Sequence, residues 1–199
     1  MSDNIIENLT DHLAKFPGVG RKTAKRLAYY IVDLSDEEAS GLIDAIKLAK
    51  SGVTKCKICG NYSEKEICDI CASEYRDCSK LMVVQNPKDV DSFEKSKVYD
   101  GKYFVLDEEE INPLKGIGAK EIGLDRLEQL LNENYEIKEV ILALNGNVMS
   151  SQTGLLIKAA AKKSGKEVTR ISQGIPSGGV LEYFDTDTIR AAFLDRKEF

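Results

Sequence analysis

Four cysteines in two closely spaced pairs constrain this chain more than any other feature of its sequence. Cys56 and Cys59 form one pair, Cys68 and Cys71 the other, and eight residues separate the pairs. Each short turn can direct two sulfurs to the same point, and the loop between the turns brings the pairs together, as in a tetrahedral zinc site. Four thiolates leave no coordination position for water. The sequence therefore predicts one structural Zn²⁺ per chain.

The alternative for these cysteines is a set of free or disulfide-bonded thiols. The N-terminus has no basic segment followed by an apolar stretch, as a secretory signal would. No apolar run approaches the ~20 residues needed to span a bilayer, so we expect a cytoplasmic protein with no membrane partner. In that setting the paired spacing favours metal over disulfides. Cys78 falls outside the spacing, and we expect it to be a small packing residue.

The net charge of −5 argues weakly against nucleic-acid binding, because phosphate contacts need lysine and arginine. The distribution of charge matters more. Between positions 15 and 26 the chain carries five basic residues and no acidic one. An acidic protein can therefore still present a local basic surface.

The basic segment surrounds a glycine-containing turn at positions 16–20, Phe-Pro-Gly-Val-Gly. Apolar residues at helical spacing predict one helix before this turn, at 5–15, and a second after it. Ser35 and Glu38 form a capping box that opens a third helix. Glycines permit positive φ and close approach of a phosphate, and the N–H groups of the following helix form an anion site. We interpret the segment as a helix-hairpin-helix with these DNA-binding candidates: Gly18, Gly20, Arg21, Lys22, Lys25 and Arg26.

The alternative for this segment is an ordinary helical hairpin with a solvated basic face. Two nucleotide motifs are excluded. The segment lacks the Gly-Lys-Thr order of a P-loop, and it lacks the third glycine and the preceding strand of a dinucleotide fingerprint. The only histidine, His12, has no nucleophile beside it, and we expect a surface or packing residue.

From residue 80 onward, short β-rich runs alternate with helical patterns. The runs lie at 81–84, 103–106, 140–144 and 168–171, and the helical patterns at about 87–97, 120–134 and 152–164. This alternation predicts a mainly parallel sheet covered by helices. The sequence thus predicts a mixed α/β protein in four parts: a helical hairpin region at 1–54, a four-cysteine zinc finger at 55–76, a parallel α/β domain at 77–173, and a C-terminal extension at 174–199 that packs on that domain or at an oligomer interface.

In this order the parts resemble the RecR family of bacterial recombination mediators along nearly the whole chain. Besides the 16–20 turn and the four cysteines, the resemblance rests on three segments: Pro-Leu-Lys-Gly-Ile-Gly at 113–118, Ile-Gly-Leu-Asp-Arg-Leu-Glu-Gln at 122–129, and Gly-Ile-Pro-Ser-Gly-Gly at 174–179 with Leu-Glu-Tyr at 181–183. The resemblance implies that the α/β domain is a Toprim domain. It also implies a non-enzymatic protein that forms rings, usually tetramers, able to encircle DNA. RecR proteins act with RecO, and sometimes RecF, to load RecA on gapped DNA. Lys22 and Arg26 match basic positions that serve DNA binding in the family.

The chain departs from the family pattern at the acidic residues of the Toprim domain. Gln85 stands after the first strand where many RecR sequences carry glutamate. After the strand at 140–144, Gly146 replaces the common proline, and Met149 and Ser151 occupy positions near which glutamates are common. Metal-assisted phosphoryl transfer needs such carboxylates. The changes argue against catalysis, and they also alter the acidic surface on which RecO or RecF docking could depend.

Several other acidic residues could in principle replace the missing ones. Asp185 and Asp187 lie in the tail, and Asp89 and Asp91 lie in an expected first helix turn, where acids favour the positive end of the dipole. We expect structural or solvated roles for all four, and a solvated loop at 107–110. The competing functions are a Toprim-type metal-dependent nuclease and a zinc-stapled protein-interaction module.

Overall fold

The computed structural model describes residues 5–196, which divide after residue 53 into two compact units. Each unit has its own secondary structure. The first is helical, and its helices are α1 (Ile5–Leu13), α2 (Arg21–Asp33) and α3 (Asp36–Gly52). Helices α1 and α2 pack against each other, and their fully buried residues are small: Thr10, Ala24 and Ala28. Small side chains allow the two helices to approach closely.

Helix α3 begins with the predicted capping box. The Ser35 hydroxyl accepts from the Glu38 N–H, and the Glu38 carboxylate accepts from the Ser35 N–H at 3.0 Å. Its apolar residues repeat at helical period, yet no residue of α3 is buried in the described part of the chain. The side chains of Leu42, Ile43 and Ile46 are 43–60% exposed. The predicted helix therefore forms, but its apolar face remains exposed within residues 5–196.

The second unit contains a short hairpin followed by an α/β fold. Its strands are β1 (Thr54–Lys55), β2 (Tyr62–Ser63), β3 (Asp77–Val84), β4 (Gly101–Val105), β5 (Glu139–Ala143) and β6 (Glu167–Arg170). Its helices are α4 (Asp69–Ala72), α5 (Pro87–Ser96), α6 (Leu124–Glu133), α7 (Val148–Lys163) and α8 (Thr186–Leu194).

Strands β3 to β6 form one sheet in the order β4-β3-β5-β6, and every pairing is parallel. Alternate residues of the central strand β3 enter different cores. Leu81 and Val83 join the core that includes Leu127 of α6 and Ile157 of α7. Met82 and Val84 join the core that includes Val90 of α5. The sheet therefore carries apolar cores on both faces, and the predicted mixed α/β class with a parallel sheet is confirmed.

Two helices begin at other residues than the sequence pattern predicted. Helix α6 starts at Leu124 instead of position 120, because Gly123 before it has a left-handed backbone with φ of +81°. Helix α7 starts at Val148 instead of position 152, since the Asn147 side chain accepts from the Ser150 N–H and caps an additional turn. Local capping, which extends a helix beyond its apolar stripe, explains the second difference.

The C-terminal extension contains a helix that the sequence analysis did not predict. Asp185 caps α8 by accepting from the N–H groups of Asp187 and Thr188 at 3.0 and 2.9 Å. Arg170 at the end of β6 forms an ion pair with Asp195 at 3.3 Å. Between residues 174 and 196, none is buried. Nowhere in residues 5–196 is there a helix long and apolar enough to cross a membrane.

Candidate metal centre and nucleic-acid surface

The four paired cysteines converge in the second unit. Their Sγ atoms all lie within 4.8 Å of one another, and no other such cluster of potential metal ligands occurs among the described residues. The Sγ atoms of Cys59 and Cys68 are 3.6 Å apart. A zinc ion with Zn–S bonds of ~2.3 Å separates its sulfurs by ~3.8 Å. The donor set and its spacing therefore fit a four-thiolate zinc site.

The local fold explains how the sulfurs meet. Cys56 follows β1, and its N–H donates to the Asn61 carbonyl at 2.7 Å, which closes the first turn. Gly60 has a φ of +78° within this turn, a conformation that favours glycine. Cys68 precedes α4, and its N–H donates to Cys56 Sγ at 3.3 Å. Backbone hydrogen bonds thus place the two turns face to face.

The environment of the thiols separates their pKa values. A hydrogen bond with Cys71 lowers the pKa of Cys59 to about 6. Burial raises the pKa of Cys68 to about 11, and the hydrogen bond with Cys59 together with burial raises that of Cys71. The Cys59 thiolate is therefore favoured near neutral pH, and a bound cation would supply the charge needed to deprotonate Cys68 and Cys71.

The predicted DNA-binding turn lies in the first unit. Val19 N–H donates to the Phe16 carbonyl at 3.0 Å, and Gly18 has a φ of +77°. Gly20, however, is extended, with φ −73° and ψ 160°, and it caps α2 without a side chain. Of these two glycines, only Gly18 therefore adopts the positive φ that favours glycine. A Cβ at either glycine would meet nothing within 4 Å in the described structure, so the turn is open to a ligand.

The basic residues of α2 fall into two groups. Lys22, Lys25 and Arg26 are exposed, as expected for side chains off the buried Ala24 and Ala28 stripe. Arg21 instead bridges to α1. It forms ion pairs with Glu7 and, at 2.8 Å, with Asp11. These hydrogen bonds raise the pKa of Arg21, and its charge is balanced by two carboxylates.

Gln85, which directly follows β3, is buried within a hydrogen-bond network. Its Nε2 donates to the Glu109 carbonyl at 2.7 Å and to Ser150 Oγ at 2.9 Å, while its Oε1 accepts from Asn145 N–H at 2.6 Å. Ser150 Oγ donates to Glu110 at 2.7 Å. The side-chain amide presents N–H groups where a Mg²⁺ site needs oxygen ligands. These residues do not fit a metal site.

Three other residues have the roles that the sequence predicted, and Cys78 does not. Asp185 and Asp89 cap helices, and His12 is exposed, as predicted. The expectation for Cys78 is wrong, since this residue is exposed. The loop at 107–110 is exposed at residues 107–109, as expected, although Asp107 also forms an ion pair with Arg126 at 3.2 Å. The expectation is wrong at Glu110, which is half-buried and accepts the Ser150 hydrogen bond.

A small cavity of about 350 Å³ opens at the carboxyl ends of β5 and β6. Its lining includes Ser150 and Ser151 from α7, and Leu142 and Arg170 from the strands. Gly146 and Ser151 are exposed beside it, and Met149 is half-buried. Of the positions that depart from the family pattern, Ser151 therefore lines this concave region.

A helical hairpin, a four-cysteine cluster and a parallel α/β sheet in one chain define a modular protein with a zinc-finger-type centre. Family models match each part: the RecR helix-hairpin-helix at residues 6–50, the RecR four-cysteine zinc finger domain at 53–73, the Toprim domain at 79–172 and the RecR C-terminal region at 174–197. The chain is also 40% identical over 191 residues to the recombination protein RecR of Lactobacillus acidophilus, covering 96% of each chain. It belongs to the RecR family, which supports a role in recombination and repair.

Proposed function

We propose that this protein is a non-enzymatic recombination mediator that binds DNA through the turn at 16–20 and the exposed face of α2. The observation that carries the proposal is the placement of Lys22, Lys25 and Arg26 beside a helix N-terminus capped by a glycine. The N–H groups of that helix end can receive one phosphate, and the side-chain cations can meet the next. Such contacts position a protein on DNA without reading its sequence.

The DNA-binding candidates have different roles in this proposal. The backbone at Gly18 and Gly20 lets a phosphate approach. Lys22, Lys25 and Arg26 supply positive charge that no ion pair within residues 5–196 balances. Arg21 contributes mainly by joining α1 to α2, because Glu7 and Asp11 already balance its charge. The electrostatic contribution of the site to DNA binding therefore depends chiefly on three cations.

We propose that Cys56, Cys59, Cys68 and Cys71 bind one structural Zn²⁺ per chain. Zinc supplies the crosslink that holds the two cysteine turns together, a function that the few apolar residues between 55 and 72 cannot provide. The proposed functional division of the chain is 1–54, 55–76, 77–173 and 174–199.

The Toprim domain acts, in this proposal, as a scaffold and not as a nuclease. The network around Gln85 supports this, since an amide stands where a catalytic acid would be needed and the Glu110 carboxylate already accepts a hydrogen bond from Ser150. The protein would work in the cytoplasm with RecO-like and RecF-like partners to load RecA on gapped DNA, as a ring tetramer. The exposed apolar residues of α3 and α8 supply surface for self-assembly.

One experiment tests the central claims together. Zinc-loaded protein is incubated with end-labelled gapped duplex and Mg²⁺, and each sample is divided between a native and a denaturing gel. We expect a mobility shift that weakens as salt rises, with intact strands on the denaturing gel. Cleaved strands would overturn the non-enzymatic assignment. A shift that does not respond to salt, or no shift, would favour a zinc-stapled protein-interaction module.

A further inference from the structure

The first cysteine turn is fixed from outside by an arginine of the α/β fold. Arg126 on α6 donates from Nη1 to the carbonyl of Ile58, which lies between Cys56 and Cys59, at 3.2 Å. The guanidinium itself is held firmly. Its Nη2 donates to the Val105 carbonyl at 2.7 Å, and its plane lies over the Phe104 ring, 4.0 Å from the centroid.

The same turn also contacts the edge strand β4 directly. Val105 N–H donates to the Cys59 carbonyl at 2.7 Å. The turn lies so close that a Cβ at Gly60 would approach Arg126 Nη2 to 3.0 Å and the Val105 carbonyl oxygen to 3.1 Å. The position of the first turn is therefore determined by the sheet edge and by Arg126 together.

The second cysteine turn is fixed by a lysine of β4. Lys102 Nζ donates to the carbonyls of Ile70, Cys71 and Ser73 at 2.9, 3.0 and 2.7 Å. Three carbonyls use all three N–H groups of the ammonium. The peptide between Ile70 and Cys71 is engaged at both ends, because the Cys71 N–H donates to Cys68 Sγ at 3.4 Å. The ammonium thus polarises a peptide whose N–H points at a sulfur.

We propose that Lys102 and Arg126 are positioning residues for the zinc site, with one cation holding each cysteine turn. The inference rests on the proposed zinc site. A four-thiolate zinc centre carries net negative charge, which nearby cations stabilise. The Lys102 ammonium supplies such a charge, whereas Arg126 shares its charge with Asp107 at 3.2 Å and acts chiefly through its hydrogen bonds. Outer residues that orient metal ligands commonly change metal affinity by 10–100-fold. The zinc finger of this protein consequently depends on the α/β fold for tight metal retention.

The test uses full-length Lys102→Met and Arg126→Met proteins, with Lys57→Met as the matched control. Lys57 is an exposed lysine of the first turn that pairs only with Glu66 among the ion pairs of residues 5–196. Zinc per chain is measured first, followed by the rate of zinc transfer to a chromogenic chelator. The visible spectrum of the Co²⁺-substituted proteins reports ligand geometry. We expect one zinc per chain in all of them, and release at least ~10-fold faster for the two variants than for the control.

The outcomes separate this inference from the zinc assignment itself. Altered Co²⁺ bands in Lys102→Met would support positioning, since a general loss of stability does not change ligand geometry in the folded protein. Wild-type release rates and spectra in both variants would overturn the inference while leaving the zinc site intact. Wild-type protein without zinc would instead overturn the proposed metal site. If Lys102→Met does not fold, Arg126→Met decides the matter, and wild-type release and a wild-type Co²⁺ spectrum from it would refute the inference.

Discussion

Gln85 and Ser150 are joined by a hydrogen bond of 2.9 Å across the carboxyl ends of β3 and the first turn of α7. Both residues are buried, with 2% and 0% of their surface exposed. Since Gln85 donates two hydrogen bonds and accepts one, its amide cannot be exchanged for a carboxylate without loss. The position that could carry a catalytic acid instead fastens the loop at 109–110 to α7.

Replacing Gln85 with glutamate should therefore destabilise the protein, by about 2–4 kcal/mol at pH 8. The new carboxylate would lose the amide donors and lie near Glu110, and both effects raise its folded-state pKa above ~4.3. Stability should then fall as pH rises above the unfolded pKa, so the loss is smaller at pH 5 than at pH 8. Urea unfolding at the two pH values measures this, with exposed Gln152→Glu as control. Equal stability of Gln85→Glu and wild type would show that the network is unimportant.

Removing the charges of Lys22 and Arg26 should weaken DNA binding without unfolding the protein. Two lost phosphate contacts would reduce the log–log salt slope by about 1.8 for duplex DNA. Fluorescence anisotropy over a salt series measures the slope. The control, Lys88→Ala with Lys95→Ala, removes the same charge from exposed positions on α5. An unchanged slope in Lys22→Ala/Arg26→Ala would place the DNA site elsewhere.

The ion pairs of Arg21 give a second, opposite prediction for the same surface. Glu7→Gln with Asp11→Asn removes the two carboxylates that balance Arg21. We expect tighter DNA binding and a steeper salt slope, because a cation beside the turn becomes available and two negative charges disappear. Melting temperature should fall, since the pairs join α1 to α2. Unchanged DNA affinity would contradict a DNA surface at this helix pair.

Zinc removal should affect the cysteine turns before the rest of the fold. We expect Cys71→Ser to lose stoichiometric zinc and to increase hydrogen exchange at residues 55–72 first, because metal binding and local folding are coupled. Cys78→Ser should retain one zinc per chain, since Cys78 is exposed and outside the cluster. Elemental analysis and exchange mass spectrometry measure both. Normal zinc content in Cys71→Ser would exclude the four-cysteine site.

The Arg76–Glu94 pair should contribute to stability in a pH-dependent manner. Burial raises the pKa of Glu94, but hydrogen bonds from Arg76 and Tyr103 outweigh it, and the net shift is downward. A lowered folded-state pKa means stability that is present above the unfolded value and lost as pH falls through the folded one. Glu94→Gln should cost about 1–3 kcal/mol at pH 7 and less at pH 3. Denaturant unfolding at both pH values measures this loss of stability, with Glu128→Gln as the control. The same loss at pH 7 and pH 3 would refute an electrostatic origin of the contribution from the Arg76–Glu94 pair.

Local signals in the sequence predicted much of this fold. The Ser35 capping box and the glycine turn at 16–20 act within a few residues. The apolar runs of the four sheet strands can be recognised for the same reason. The contacts of Arg126 and Lys102 could not be predicted, because their partners lie tens of positions away and are backbone carbonyls that carry no side-chain signature. At Gln85 the sequence showed only that an acid was missing. The hydrogen-bond network around this residue could not be predicted from it.

Helix α8 was missed although its signal was present. Asp185 with Thr188 is a capping pair, and Ile189, Ala192 and Phe193 follow at helical spacing. The preceding glycines and proline favoured an irregular extension instead. For α3 the opposite occurred. Its periodicity predicted the helix correctly, but periodicity alone does not reveal what covers the apolar face.

The order of strands in the sheet has a consequence for when the parts of the protein can form. Strand β3 pairs with β4 about 20 residues downstream, but with β5 only after closure of a loop of about 60 residues. The β3–α5–β4 segment should therefore assemble early and β5 later, since short loops close at lower entropic cost. The cysteine turns precede β3 in the chain, yet Lys102 and Val105, which hold them, lie on β4. During synthesis the cysteine turns can therefore make these contacts only after β4 has left the ribosome.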